Sequence, residues 1–125
     1  MPAQSPKRKA LVVDDERAVA DTLVRLLNHN GFEATAVYNG SDAIRSAAEM
    51  HPDVVISDVH MAGMSGLDTA VRIKNSLPGC KVLLLSGSLP SQGELDAARA
   101  KGHDFEIINK PVHPQELLAK LGVMR

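Results

Sequence analysis

The sequence predicts a single α/β unit, a parallel β-sheet with helices packed on both faces. Three observations predict it. Along 125 residues, short apolar runs alternate five times with segments of helical spacing. The runs are too continuously apolar for strands with one wet face, so both faces must be covered. Gly, Pro or Asn-Gly punctuation separates the segments. Such alternation implies crossover helices and parallel strands.

The first run, Ala10 to Asp14, reads ALVVD and suits a strand buried on both sides. Val19, Leu23, Leu26 and Leu27 follow at helical spacing, and Asn30-Gly31 stops that helix. Glu33 to Tyr38 is the second strand candidate. Asn39-Gly40 supplies a turn, Ser41 is the expected cap, and Ile44, Ala47 and Ala48 give the second helix its apolar face before Pro52. Val54-Val55-Ile56 is a third buried run ending at Asp58, followed by a loop from Met61 to Gly66. Leu67, Ala70, Val71, Ile73 and Leu77 mark a helix closed by Pro78-Gly79. Val82 to Leu85 is the fourth strand, ending at Ser86-Gly87. A short helix with a thin apolar stripe, Leu95 and Ala98, is expected within 90–101. Phe105 to Ile108 is the fifth strand, Asn109-Lys110-Pro111 ends it, and Leu117, Leu118 and Leu121 belong to a last helix.

The bulk numbers fit one ordinary globular domain and exclude several function classes. Hydrophobic residues are 44% and charged residues 23%, with a formal net charge of −1, so no strong field points to nucleic acid or a membrane surface. Aromatics are 2%, too few for a base-stacking platform. Cys80 stands alone and cannot form a disulfide within the chain, which suits a cytoplasmic location. No apolar run approaches the ~20 residues of a membrane span. Residues 1–9, with Lys7, Arg8 and Lys9, read as a flexible solvated tail without the apolar stretch of a secretory signal, and 10–125 as the domain.

The polar residues are informative by position. Asp14 and Asp15 end the first strand, Asp58 the third, Ser86 the fourth and Lys110 the fifth. Open α/β sheets bind ligands at the carboxyl ends of the strands, where strand order reverses. With the order 2-1-3-4-5, a fold-level expectation that no spacing sets, these residues converge. At ~5 Å and an effective dielectric of 20, each pair of carboxylates costs roughly 3 kcal/mol, so such a cluster calls for a cation. Oxygen-only ligands on a partly open site favour Mg²⁺, and neither Cys80 nor the five His residues show a zinc-site spacing. A carboxylate beside a metal can attack phosphorus, with a lysine and a hydroxyl taking the charge of the transferred group. Gly87 would let a backbone N–H approach a phosphoryl oxygen.

Taken singly, each residue has a plainer explanation: Asp15 as a helix cap, Asp58 as a turn residue, Ser86-Gly87 as turn formers, His60 as a loop residue, Met61 and Met64 as packing. Those explanations do not account for the conjunction of two adjacent acids, a lone acid, a hydroxyl and a lysine at four strand ends.

The ordered set Asp14-Asp15-Glu16 after VV, Asp58 after VVIS, Met61-x-x-Met64-x-Gly66, Ser86-Gly87 after LLL, and Lys110-Pro111 resembles the receiver domains of bacterial two-component response regulators. The likeness runs from Ala10 to about Leu121. It implies a flavodoxin-like, doubly wound fold, and a phosphoacceptor signalling domain rather than an enzyme, one that assists its own phosphorylation and dephosphorylation. By resemblance, Asp58 takes a phosphoryl group from a sensor histidine kinase or a histidine phosphotransfer protein. Asp15, Asp58 and the backbone carbonyl of His60 bind Mg²⁺, and Asp14 acts mostly through water. Ser86 and Lys110 bind phosphoryl oxygens, and the Lys110-Pro111 bond is commonly cis. Phosphorylation would reshape the face made by the fourth helix, fifth strand and fifth helix, where an unidentified downstream target would bind. A homodimer through Leu89 and Leu95 is left open.

The chain departs from that pattern in three places. Ala62 stands where proline is usual, the spacing from Gly102 to Lys110 is one residue longer than usual, and Ile107 occupies the place of an inward-turning aromatic residue. Phe105 shares a strand face with Ile107 and is the candidate substitute. Two other function classes remain as alternatives. A receiver-shaped module that binds partners without phosphorylation would not need the whole Asp15, Asp58, Ser86 and Lys110 set. An aspartate-nucleophile phosphatase would carry an acid two residues after the nucleophile, where this chain has His60.

Overall fold

The computed structural model describes residues 7–61, 63–87 and 105–122. The expected helix within 90–101, Leu89, Leu95, Gly102, Ala62 and the first six residues lie outside the described residues.

Five parallel strands form one sheet in the order β2-β1-β3-β4-β5: β1 (Arg8–Val13), β2 (Phe32–Val37), β3 (Val54–Asp58), β4 (Lys81–Ser86) and β5 (Glu106–Asn109). Four helices are described: α1 (Arg17–Asn28), α2 (Gly40–Met50), α3 (Gly66–Ser76) and α4 (Pro114–Lys120), the last being the expected final helix. The strand order and the two-sided covering agree with the sequence expectation.

The period-two alternation of the strands sorts the core into two layers. Ala10, Val12, Val54, Ile56, Leu83, Leu85 and Ile108 pack with Ala20, Leu23 and Leu27 of α1 and Leu117 and Leu118 of α4. Leu11, Val13, Val55, Val82 and Leu84 pack with Ala43 and Ala47 of α2 and Ala70 and Ile73 of α3. The β1, β3 and β4 residues named here are buried, which is why these runs carry no polar alternation. Phe105 and Ile107 both pack against the α2–α3 layer, opposite Ile108.

Three local expectations are corrected. Strand β1 reaches back to Arg8, into the segment read as a solvated tail. The Arg8 guanidinium lies 5.1 Å from the Phe32 ring centroid and donates to the Leu121 carbonyl at 2.6 Å, while the Lys9 N–H donates to Asp53 Oδ2 at 2.8 Å. Their charged heads escape burial while their backbones join the sheet. The cap of α2 is Asn39, whose side chain accepts from the Asp42 N–H at 2.7 Å, and Ser41 lies inside the helix. Gly66 is the first residue of α3, capped by Ser65, rather than the end of a loop.

The register aligns the strand ends that matter. Val13 pairs with Ser57, Asp58 with Leu85, and Ser86 with Asn109. Residues 14, 58, 86 and 110 therefore emerge along one rim, with β1 and β3 adjacent where the chain order reverses.

Candidate functional site

Each side chain reaches that rim for a local reason. Asp14 follows β1 and is fully buried; its N–H donates to the Val37 carbonyl at 3.2 Å and its Oδ1 accepts the Glu16 N–H at 2.9 Å. Asp14 therefore shapes the entry to α1. The cap position there is Glu16, without a side-chain capping bond, so the helix-cap explanation of Asp15 fails and Asp15 sits exposed on the rim. Asp58 is the last residue of β3 and is 6% exposed. Lys110 follows β5, its N–H donates to the Ser86 carbonyl at 2.8 Å, and the Lys110-Pro111 peptide is cis.

The structure brings the residues from the separate strand ends together. One carboxylate oxygen from each of Asp14, Asp15 and Asp58 lies within 4.8 Å of the others. Lys110 Nζ lies 3.1 Å from Asp58 Oδ1 and 3.3 Å from Asp14 Oδ2. Ser86 Oγ is buried with no hydrogen-bond partner among the described residues. A buried hydroxyl left unpaired is costly, and such groups mark places where a ligand supplies the missing acceptor or donor. Gly87 is exposed; a Cβ there would lie 4.0 Å from Lys110 Cδ, so packing alone does not demand glycine. His60 is exposed, two residues beyond Asp58.

The charges do not balance: among the described residues, three acids face one lysine. Burial pushes the Asp58 carboxyl above its ordinary pKa; the hydrogen bond from Lys110 pulls it down, and the charges of Asp14 and Asp15 push it up again. Burial alone would lower Lys110, but the hydrogen bond to Asp58 and the charges of Asp14 and Asp58 outweigh it, and the amine stays charged. The all-oxygen donor set, open on the Asp15 side, fits a hard divalent cation that keeps some of its water.

Sequence reasoning missed Ser57. This fully buried residue places its hydroxyl 3.1 Å from the Asp58 carbonyl oxygen. Its signal was present, as the one polar residue inside the run VVIS, where an apolar neighbour would otherwise be expected.

Comparison with known proteins decides the family. The model of the response regulator receiver domain matches residues 10–122. The chain belongs to the response regulator receiver domain family. The probable transcriptional regulatory protein TcrX of Mycobacterium tuberculosis is 35% identical over 114 residues, covering 91% of this chain and 48% of that protein. The chain spans about half the length of the curated relatives it matches. The chemotaxis protein CheY4 of Vibrio cholerae is similar in structure, with a TM-score of 0.84 and 26% identity over 95% of this chain and all of that one. A response regulator from Burkholderia pseudomallei, solved with a phosphorylated aspartic acid, calcium ion and citrate, has a TM-score of 0.78 and 27% identity over 90% of this chain and 65% of that one. This receiver domain is thus a signalling unit of the two-component type. No helix among its described residues is long and apolar enough to cross a membrane.

Proposed function

We propose that Asp58 accepts a phosphoryl group from a phosphohistidine on a sensor histidine kinase or histidine phosphotransfer protein in the cytoplasm, and that the domain opening with β1 is the phosphorylated unit. The observation that carries this reading is the Asp58 carboxylate, buried at a strand end, 3.1 Å from Lys110 and grouped with Asp14 and Asp15. An Asp58 carboxylate oxygen bonds to phosphorus while the bond from phosphorus to the donor imidazole nitrogen breaks. The electron pair of that bond stays on the nitrogen, which leaves as neutral imidazole because the other ring nitrogen of the phosphohistidine carries a proton.

Asp15, Asp58 and the His60 carbonyl would hold Mg²⁺, with Asp14 acting through water. The bound ion would neutralise charge on the transferred oxygens. Lys110 and the Ser86 hydroxyl would take two phosphoryl oxygens, and the Gly87 N–H a third. The same groups would assist both uptake and loss of the phosphoryl group. The signal would leave through β5, α4 and the segment 90–101. The phosphorylated aspartic acid and calcium ion of the Burkholderia relative support this chemistry. We assign this unit no nucleic-acid contact.

The test is intact mass after incubation with acetyl phosphate and Mg²⁺. One acid-labile phosphoryl group is expected on the wild-type chain and none on Asp58→Asn. An equal mass gain in the variant would remove Asp58 as the site.

A further inference from the structure

We infer that Gly66 is a positioning residue for the Asp58 site, acting through the main chain that follows Asp58. The inference rests on the phosphoacceptor reading above and names a residue that reading does not use.

Gly66 is buried at the first position of α3. A Cβ built there would lie 1.6 Å from the Asp58 carbonyl oxygen, 2.7 Å from the Asp58 carbonyl carbon and 2.9 Å from Val59 Cα. All three are backbone atoms, so no rotamer change relieves the clash. The requirement is one of close approach, not of backbone conformation: Gly63, three residues earlier, has φ +79° and nothing within 4 Å of its would-be Cβ. The Gly66 N–H also donates to the Val59 carbonyl at 2.8 Å.

The other contacts leave the Asp58–Val59 backbone little room to yield. Val59 is 1% exposed and its N–H donates to the Leu85 carbonyl of β4 at 2.9 Å. The Ser57 hydroxyl holds the Asp58 carbonyl at 3.1 Å. Nor can α3 swing outward cheaply. Helix α2 packs against it, so closely that a Cβ at Gly40 would come within 2.4 Å of the buried Thr69 Oγ1. A methyl group at position 66 must therefore displace the Asp58–Val59 backbone. That backbone carries the Asp58 carboxylate on one side and leads to the His60 carbonyl on the other. A displacement of ~1 Å at a reacting group costs about a hundredfold in rate.

The experiment compares wild type, Gly66→Ala, Ser57→Ala and Gly79→Ala, whose added Cβ would meet nothing within 4 Å. Thermal melting establishes that each is folded. Calorimetric titration with Mg²⁺ then measures affinity, and intact mass against time measures phosphoryl uptake from acetyl phosphate. Folded Gly66→Ala is expected to bind Mg²⁺ at least tenfold more weakly and to take up phosphoryl about a hundredfold more slowly. Ser57→Ala should show a smaller loss of both, about threefold. Gly79→Ala should match wild type.

A purely structural role would lower the melting temperature of Gly66→Ala and leave Mg²⁺ affinity unchanged, which overturns the inference. If Gly66→Ala does not fold, wild-type Mg²⁺ affinity in Ser57→Ala overturns it instead. Wild-type protein that binds Mg²⁺ but gains no mass refutes the phosphoacceptor reading, while the Mg²⁺ titrations still decide whether Gly66 positions the carboxylates.

Discussion

At the carboxyl ends of the strands, Asp14 and Asp58 lie buried around Lys110, with Asp15 at the open side and a buried serine hydroxyl that has no partner among the described residues. At the amino ends the chain also gathers charges, but Arg8, Lys81 and Lys120 each meet an acceptor at least partly in water. Arg8 donates to the Leu121 carbonyl, Lys81 to the Lys120 carbonyl, and Lys81 and Lys120 lie 3.8 Å and 3.4 Å from Glu106. The side chains of Lys81, Glu106 and Lys120 are 40%, 50% and 35% exposed, against 0% for Asp14 and 8% for Asp58. One rim ties the last turn of α4 to the starts of β1 and β4. The other, among the described residues, sets three carboxylates against one lysine, two of them buried. Burial and imbalance, not the presence of charge, separate a site from a clasp.

This contrast is sharpened most by Lys110→Ala. If the lysine serves the phosphoryl group rather than the metal, uptake from acetyl phosphate should fall about a hundredfold, as when an oxyanion donor is lost. Mg²⁺ affinity should hold in that variant and drop in Asp15→Ala. Equal losses of Mg²⁺ affinity in the two, measured by titration calorimetry, would break the division of roles.

The imbalance should also appear as a pH dependence when divalent ions are absent. Because the folded chain raises the pKa of Asp58, it holds that proton more tightly than the unfolded chain does. The stabilising contribution is full below the ordinary carboxyl pKa of ~3.9 and is lost as pH rises through the folded value. Asp58→Asn should therefore gain melting temperature relative to wild type as pH climbs from about 4 to 7. A constant or shrinking difference across melts in chelator would contradict it.

Smaller effects belong to the opposite rim. Arg8→Ala should cost about 1 kcal/mol in denaturant melts, from a charged hydrogen bond and a ring contact, both partly solvated. Glu106→Ala should change stability by less than about 0.5 kcal/mol, and salt should erase the difference. Neither should alter phosphoryl uptake. A marked loss of uptake in either would mean that the two rims are coupled through the sheet.

Much of this was legible in the residues. Uninterrupted runs such as ALVV and VLLL predicted strands covered on both faces, and their polar endings at Asp14, Asp58, Ser86 and Lys110 marked one rim. Helix starts were less legible. Asn39 and Ser41 have similar side-chain chemistry, and only the backbone entering α2 selects Asn39. The reach of β1 back to Arg8 was hidden because long charged side chains can join a sheet by backbone while their heads stay in water.

The alternation of apolar runs and helical spacing determined by itself that this protein would be a parallel α/β sheet, since period and punctuation are local properties of a chain. What only the tertiary structure decided were relations between segments distant in sequence. They include the adjacency of β1 and β3, the 3.1 Å approach of Lys110 to Asp58, and the packing of Gly66 against the Asp58 carbonyl. No spacing encodes these, because they arise when two faces of one sheet are sealed at once and the strand ends fall into register.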